Sequence, residues 1–236
     1  MDSSFSSRGE VLRSIRLALG QSMEAERIAA QYDALPRDYK RAGTLSQEDR
    51  LQLFLRRLEE YGAGVKFVAR DAIREEIGGT LAARGCRRLV IPHDLPAAWL
   101  PLGFEFIPHG GEGELSPPLG AAELDGMDGV LTGCTVAVAE TGSIVLQSGP
   151  RQGSRALTLA PDYHLCVVFA GQVVETVPES FAVLDSTSDL PTTFFSGPSA
   201  TADIEMTRIK GVHGPRFLDV LVVEDVPVVE DVLVVE

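Results

Sequence analysis

A glutamate lies in a short turn between two β-rich runs of the sequence. The turn 139–143 (AETGS) separates the runs 130–138 and 143–147. Because an unpaired buried carboxylate is costly, Glu140 must be exposed, paired with a cation or protonated. In a functional interpretation it is a nucleophile, a general base or a hydrogen-bond acceptor for a substrate. In a structural interpretation, which the spacing favours, it is a turn residue paired with a loop arginine. The neighbouring candidates for ligand contacts are Thr141, Gly142 and Ser143.

Two arginines lie among glycine and serine residues in the segment 147–164 (QSGPRQGSRALTLAPDYH). Arg151 and Arg155 offer a planar two-point match to a carboxylate or phosphate, and a glycine-rich turn brings backbone N–H groups close to an anion. The segment lacks the P-loop and GxGxxG fingerprints of nucleotide sites. Asp162 and His164 alternate at the start of a predicted strand, so they can share one face. A histidine this close to a core strand is typical of a hydrogen-bonded structural residue.

A third segment, 194–216, combines a strand end with polar and glycine residues. The capping residues that follow the strand predict a loop and then a helix, whose free N–H groups would face a ligand at the carboxyl edge of the sheet. The candidate ligand contacts are Ser196, Gly197, Ser199 and Thr201. Asp203, Glu205 and Arg208 follow, either as site residues or as ion pairs on a solvated helix. His213 is the candidate titrating group, and Arg216 is a candidate anion-binding residue.

The charge distribution narrows the choice of partners. The formal net charge is −13, which argues against nucleic acid because phosphate binding requires a basic face. From Val130 onward, five cations accompany fourteen acidic residues, and all five lie in or beside loops rich in Gly, Ser, Thr and Pro. This pattern indicates either a small anionic ligand site or a network of internal ion pairs, and composition does not decide between them.

The three cysteines, Cys86, Cys134 and Cys166, are widely spaced and lack CxxC or Cys/His spacing. This pattern argues against a disulfide scaffold, a zinc site or an iron–sulfur cluster in this chain. Each cysteine lies in or beside an apolar run, which predicts buried thiols. We therefore expect no metal site and no cofactor of this kind here.

The order of predicted elements indicates an α/β fold. Helical periodicity marks an N-terminal helical extension over residues 1–62, with Ser46 and Asp49 as a cap. From residue 63 to 224, strand, helix and strand alternate as in a parallel sheet, and runs 130–138 and 143–147 predict an inserted antiparallel hairpin. Residues 225–236 form an acidic tail with a short repeat. No run reaches the ~20 apolar residues of a membrane span, and no signal peptide is apparent, so we expect a cytoplasmic protein.

Three long stretches in order carry a family resemblance: TGCTVAVAETGSIVL, SGPRQGSRALTLAPDYHLCVV and FFSGPSATADIEMTRIKGVHGPRFLDVLVVE. Together they resemble the lactate utilization protein C family, which carries a LUD domain. The resemblance covers about the last hundred residues before the tail, and the N-terminal half matches only in its general plan. It implies a fold like that of ribose-5-phosphate isomerase and CoA-transferases, with a mostly parallel sheet flanked by helices and an antiparallel insertion.

The resemblance also implies a role in oxidising L-lactate to pyruvate with cysteine-rich iron–sulfur partner subunits. Because this chain lacks their cysteine motifs, it resembles the cluster-free component, with a small carboxylate or an anionic cofactor as the expected ligand. CoA-transferases use a glutamate before a glycine in a turn as nucleophile, and Glu140 is similar at the level of fold analogy. Two alternatives remain open: a non-catalytic scaffold or regulatory subunit, and an independent CoA-transferase-like or isomerase-like enzyme.

Overall fold

The computed structural model describes residues 7–18, 25–110, 119–202, 208–210 and 214–225. The chain divides into two compact units, Met1–Tyr39 and Lys40–Glu236. The smaller unit contains helices α1 (Ser7–Ala18) and α2 (Ala25–Asp33). Three predicted site residues, Asp203, Glu205 and His213, and the tail from residue 226 lie outside the described residues.

The larger unit contains the remaining described elements. Its helices are α3 (Gln47–Glu60), α4 (Ile73–Arg84), α5 (Ala121–Asp125), α6 (Arg155–Leu159) and α7 (Val177–Leu184). Its strands are β1 (Gly64–Val68), β2 (Arg88–Pro92), β3 (Glu105–His109), β4 (Gly129–Thr132), β5 (Val136–Val138), β6 (Ser143–Gln147), β7 (Tyr163–Phe169), β8 (Val173–Val174), β9 (Thr192–Phe195), β10 (Ala200–Ala202), β11 (Arg208–Lys210) and β12 (Phe217–Val223).

Six strands form a parallel sheet in the order β1-β12-β7-β4-β2-β3. The central strands β7 and β12 are apolar along nearly their whole length, as expected for strands covered on both faces. Successive residues alternate between two cores: Leu165 and Leu221 face one, whereas Cys166 and Val220 face the other. The predicted α/β fold with a mostly parallel sheet is confirmed.

Helices cover the two faces of this sheet. Helix α4 places Ile77 and Leu81 in the first core and ends at Gly85, which has the left-handed conformation of a C-cap. Helix α3 begins at the predicted cap, where Ser46 Oγ accepts from Asp49 N, and buries Phe54 completely in the second core. Helix α3 therefore belongs to the core of the larger unit.

A second sheet, in the order β8-β5-β6-β9, supplies the predicted antiparallel element. The predicted hairpin is present as the β5–β6 pair, but the β-rich run 130–138 is divided between two sheets. Residues 129–132 form β4 in the parallel sheet, whereas 136–138 form β5 in the second sheet. Gly133 N donates to Arg151 O of a loop instead of continuing a strand ladder, so the chain passes from one sheet to the other here.

The predicted helix after Ser199 was wrong, because β10 and β11 form a short antiparallel pair. Thr201 lies opposite Ile209, and β-branched residues favour strands over helices. Ser199 N also donates to Pro215 O, which holds the start of this segment against its end. No helix in the described part of the chain combines the length and apolarity that crossing a bilayer requires.

Candidate functional site

A cleft of about 380 Å³ opens beside α6, β9 and the first residues of β7 and β12. Its polar lining comprises Arg155, Thr158, His164, Thr193, Ser196 and Ser199. Its apolar lining includes Leu146, Leu159, Phe194, Phe195 and Leu218. Gly197 and Pro198 complete the wall after β9, and Gly214 and Pro215 lie opposite Ser199. The structure thus brings together residues from the second and third segments identified in the sequence, although their roles stay predictions.

Arg155 is the cation of this cleft. It occupies the first position of α6 and is exposed. Within the described ranges its guanidinium has no hydrogen bond or ion pair to another side chain. A guanidinium that faces a cleft without a counter-ion has its donors available for a carboxylate or phosphate.

Arg216 and Asp162 form an ion pair with each other, and both side chains are about half exposed. This pairing is the internal alternative that the charge pattern left open. Neither residue is part of the cleft lining. Asp162 is exposed and lies just before β7, whereas His164 is buried within that strand.

Arg151 lies in a loop at the carboxyl edge of the parallel sheet, outside the cleft lining. It has a positive φ of 63°, a strained conformation for a residue with a side chain. Two contacts stabilise it: Arg151 N lies 2.9 Å from both carboxylate oxygens of Asp94, and Arg151 O accepts from Gly133 N at 2.8 Å. The loop therefore links the ends of β2 and β4.

His164 lies at the floor of the cleft and is 2% exposed. Its Nε2 lies 2.8 Å from Thr132 Oγ1, and its ring centroid is 5.3 Å from that of Phe195. These contacts match the structural interpretation of this histidine, and they also fix its ring against the cleft. All three cysteines are buried, as predicted. Burial raises the pKa of the Cys86 thiol to about 11, which keeps it protonated and unreactive.

Glu140 is paired, but its partner is Lys40 and not a loop arginine. The Lys40 Nζ–Glu140 Oε1 distance is 3.1 Å, and Lys40 also bonds to the buried carboxylate of Glu175. Glu175 accepts from Thr44 N and Leu45 N at 2.6 Å each. The hydrogen bond from Lys40 lowers the pKa of Glu175, and both carboxylates raise the pKa of Lys40. Glu140 does not line the cleft.

Sequence reasoning missed Lys40 and Glu175, which no local pattern connects to the turn. The capping box Thr176–Glu179 at the start of α7 was readable in the sequence. Glu179 also accepts from Gly43 N, so together with Glu175 it holds the 43–45 loop beside the glutamate turn.

A chain of hydroxyl groups connects the glutamate turn to the cleft. Thr141 Oγ1 and Ser143 Oγ are 2.7 Å apart, and Ser143 Oγ and Ser196 Oγ are 2.6 Å apart. Ser196 lines the cleft. The turn and the Ser-Gly-Pro-Ser segment therefore meet through side chains, although the carboxylate of Glu140 points elsewhere.

Two glycines fit these turns against the end of α3. Gly142 has φ 58°, and a Cβ there would lie 2.7 Å from Arg57 Cβ. Gly197 has φ 79°, and a Cβ there would collide with Tyr61 Cβ. Both positions require a left-handed residue without a side chain. Thr201 and Arg208 lie in the β10–β11 pair.

Asp219 forms a second polar centre that sequence reasoning did not single out. Its carboxylate accepts from Arg84 Nε at 2.8 Å, Arg84 Nη2 at 2.7 Å and the Tyr163 hydroxyl at 2.9 Å. Burial is the main cause that raises the pKa of Tyr163, and the neighbouring carboxylate of Asp219 is the second. The Tyr163 hydroxyl therefore stays protonated and remains a donor. This network lies at the amino ends of β1, β7 and β12, and we assign it a structural role.

Comparison with known proteins agrees with this fold. Residues 121–223 match the family model of the LUD domain, so these residues are of the LUD-domain class. A crystal structure of a DUF162 family protein from Deinococcus radiodurans superposes with a TM-score of 0.64 and 36% identity, covering 76% of this chain and 99% of that one.

The relatives narrow the family further. Lactate utilization protein C of Deinococcus radiodurans is 44% identical over 193 residues, which cover 81% of this chain and 87% of that protein. The chain therefore belongs to the lactate utilization protein C family. The uncharacterized protein YkgG of Escherichia coli is 27% identical over 92% of this chain and 98% of its own length.

Proposed function

We propose that this chain is a component of L-lactate utilization, the oxidation of L-lactate to pyruvate, and that its cleft binds a small carboxylate or an anionic cofactor. Membership of the lactate utilization protein C family supports the pathway. The Arg155 guanidinium, which lines the cleft without a counter-ion among the described residues, carries the ligand proposal.

In this proposal Arg155 binds the anionic group of the ligand. Ser196 and Ser199 supply hydroxyl groups from the opposite wall, and His164 forms the floor. Arg151 and Arg216 take no part in it because neither lines the cleft. Glu140 takes no direct part in it, because its carboxylate pairs with Lys40 and does not line the cleft.

The electrons of lactate oxidation require a redox carrier, which we place in cysteine-rich iron–sulfur partner subunits. The three cysteines support this assignment, because all are buried and only Cys134 and Cys166 lie close to each other, whereas cluster binding needs several accessible thiolates close together. In this arrangement the chain supplies a binding site and the partners supply the electron transfer.

Calorimetric titration of the purified chain with L-lactate, pyruvate and CoA tests the ligand proposal. We expect binding of at least one of them, weakened about 10-fold or more by Arg155→Ala, because a hydrogen bond to a charged group contributes about 1.5–3 kcal/mol. Arg88→Ala is the matched control, since Arg88 is exposed and pairs with Glu105 on the β3 side of the sheet. Equal binding by all three proteins would remove the site assignment.

Copurification with cysteine-rich partners tests the scaffold alternative. A chain that binds none of the three ligands but retains its partners, also as the Arg155→Ala variant, would be a scaffold or regulatory subunit. Mass spectrometry after incubation with acyl-CoA tests the transferase alternative, which requires a covalent adduct on Glu140. The pairing of Glu140 with Lys40 outside the cleft argues against that adduct.

A further inference from the structure

Cys134 and Cys166 lie next to each other in the second core, although they are far apart in the sequence. Their thiols are hydrogen-bonded to each other. Cys166 Sγ also lies 3.7 Å from the oxygen of Gly133, whose carbonyl belongs to the peptide bond that leads to Cys134. In the β4–β7 register Cys166 is opposite Thr132, and Cys134 follows Thr132 by two residues. The point where the chain leaves the parallel sheet therefore brings the two sulfur atoms together.

Polar neighbours hold both sulfur atoms in place. Thr132 Oγ1 lies 3.9 Å from Cys166 Sγ and 2.8 Å from Nε2 of His164, the histidine at the floor of the cleft. Gln172 Oε1 lies 3.5 Å from Cys134 Sγ, and Gln172 Nε2 donates to Cys134 O at 2.7 Å. The two thiols are thus fixed against each other, which favours a bond between them over reaction with other thiols.

The thiols differ in how readily they ionise. Burial disfavours the Cys166 thiolate, but hydrogen bonds from Cys134 and His164 outweigh burial and lower the pKa of Cys166. The hydrogen bond to Cys166 raises the pKa of Cys134. Because the thiolate is the form that reacts with oxidants, Cys166 is the sulfur that reacts first and Cys134 the one that follows. Cys86 lies in the first core and stays protonated, so it serves as an unreactive reference.

Burial restricts which oxidant can reach this pair. Cys166 is 0% exposed, and Cys134 is 5% exposed. Another protein thiol or a bulky disulfide is too large to enter. Hydrogen peroxide is little larger than a water molecule, so it can reach the sulfur atoms through small local openings of the structure.

From these contacts we propose that Cys134 and Cys166 are a redox-active pair that hydrogen peroxide converts into a reversible disulfide. In the first step the Cys166 thiolate attacks one oxygen of the peroxide, the O–O bond breaks, and the other oxygen leaves as water after taking a proton. In the second step the Cys134 sulfur attacks the resulting sulfenic acid, the S–O bond breaks, and a second water leaves with the Cys134 proton. Two thiols and one peroxide thus give one disulfide and two waters.

The proposed bond concerns the cleft because of the segment that it encloses. A disulfide between Cys134 and Cys166 closes a loop of about 30 residues, which contains all of α6 and the cleft cation Arg155. Oxidation would therefore tie β7 to the start of the segment that carries this arginine. The pair is nevertheless separate from the ligand of the cleft, because its chemistry requires neither Arg155 nor a bound anion.

Peroxide treatment followed by thiol labelling tests the proposal. The purified protein is treated with a small excess of hydrogen peroxide, freed of it with catalase, unfolded and labelled with iodoacetamide. We expect labels on all three cysteines before treatment, on Cys86 alone after it, and on all three again when dithiothreitol precedes labelling. Peptide mapping by mass spectrometry should find Cys134 and Cys166 in one cross-linked species.

Single variants provide the matched controls. Cys86→Ser should form the same cross-link, because Cys86 lies in the other core. Cys134→Ser, which replaces a thiol with a hydroxyl group of similar size, should form none.

Three outcomes would overturn the proposal. They are full labelling after peroxide treatment, a cross-link that includes Cys86, and an oxidised Cys166 without a cross-link to Cys134. All three are read on the parent protein, so they do not depend on how well the variants fold. Each would leave the proposed function intact, because none of them measures ligand binding at Arg155.

Discussion

The carboxylate network at Asp219 and the cleft around Arg155 are two polar regions that differ in how their charged groups are buried and paired. Asp219 is almost buried, and both of its oxygens accept hydrogen bonds from Arg84 or Tyr163. Arg155 is exposed and has no counter-ion among the described residues. The difference indicates that changes at the closed network affect stability, whereas changes at the cleft affect binding.

The strongest test of the closed network is Asp219→Ala. It removes the buried acceptor of three hydrogen bonds, two of them from the Arg84 guanidinium, whose side chain is 35% exposed, and we expect the free energy of unfolding to fall by about 3 kcal/mol. Urea denaturation measures this loss. Tyr163→Phe removes one donor and should cost only about 1 kcal/mol. A smaller loss for Asp219→Ala than for Tyr163→Phe would contradict the assignment.

Gly197→Ala tests whether the wall of the cleft depends on the close packing of Gly197 against Tyr61. The added Cβ meets Tyr61 in a left-handed conformation, so we expect a loss of about 2 kcal/mol and weaker ligand binding. Gly103→Ala is the control, because Gly103 has φ 90° but open space around it. The control should lose less stability and keep ligand binding, as shown by thermal unfolding and titration.

Glu175→Gln should have an effect between those of Gly197→Ala and Glu140→Gln, and the effect should depend on pH. Its folded-state pKa lies below the ordinary value of 4.5, chiefly because of the hydrogen bond from Lys40. The stabilisation is therefore complete above pH 4.5 and is lost as the pH falls through the folded-state pKa. Unfolding of both proteins at pH 7 and pH 3.5 should show the difference shrinking at the lower pH. A constant difference would contradict this linkage.

Glu140→Gln should have the smallest effect. The pair with Lys40 is about 40% exposed on each side, and such pairs contribute less than about 1 kcal/mol. Thermal unfolding of Glu140→Gln and Glu175→Gln under the same conditions measures the difference in their stability. A fall in melting temperature as large as that of Glu175→Gln would contradict the exposed position of Glu140 beside Lys40.

Elements with local signals were predicted well from the sequence. The Ser46 cap of α3 and the β-rich run 143–147, which forms β6, each depend on neighbouring residues, and both are present. The sequence did not predict that the run 130–138 is divided between two sheets, because an apolar run does not reveal that Gly133 binds a loop and directs the chain into another sheet.

The candidate site was harder to predict because its contacts connect distant residues. Glu140 and its partner Lys40 are 100 residues apart in the chain, and no periodicity connects them. The sequence identified Arg151, Arg155 and Arg216 as equivalent loop cations. Only the fold separates them into a strained loop residue, a cleft residue and a partner of Asp162.

Strand β12 has a consequence for how the protein is made. It lies between β1 and β7, so Gly64 pairs with a residue more than 150 positions later in the chain, Asp219. Until this late strand leaves the ribosome, β1 lacks its neighbour in the sheet, and the edge of β7 that β12 covers stays open. Folding that depends on such long-range pairing is slow, and the growing chain exposes apolar strand edges while it waits. We expect chaperones to engage nascent chains that stop before Phe217.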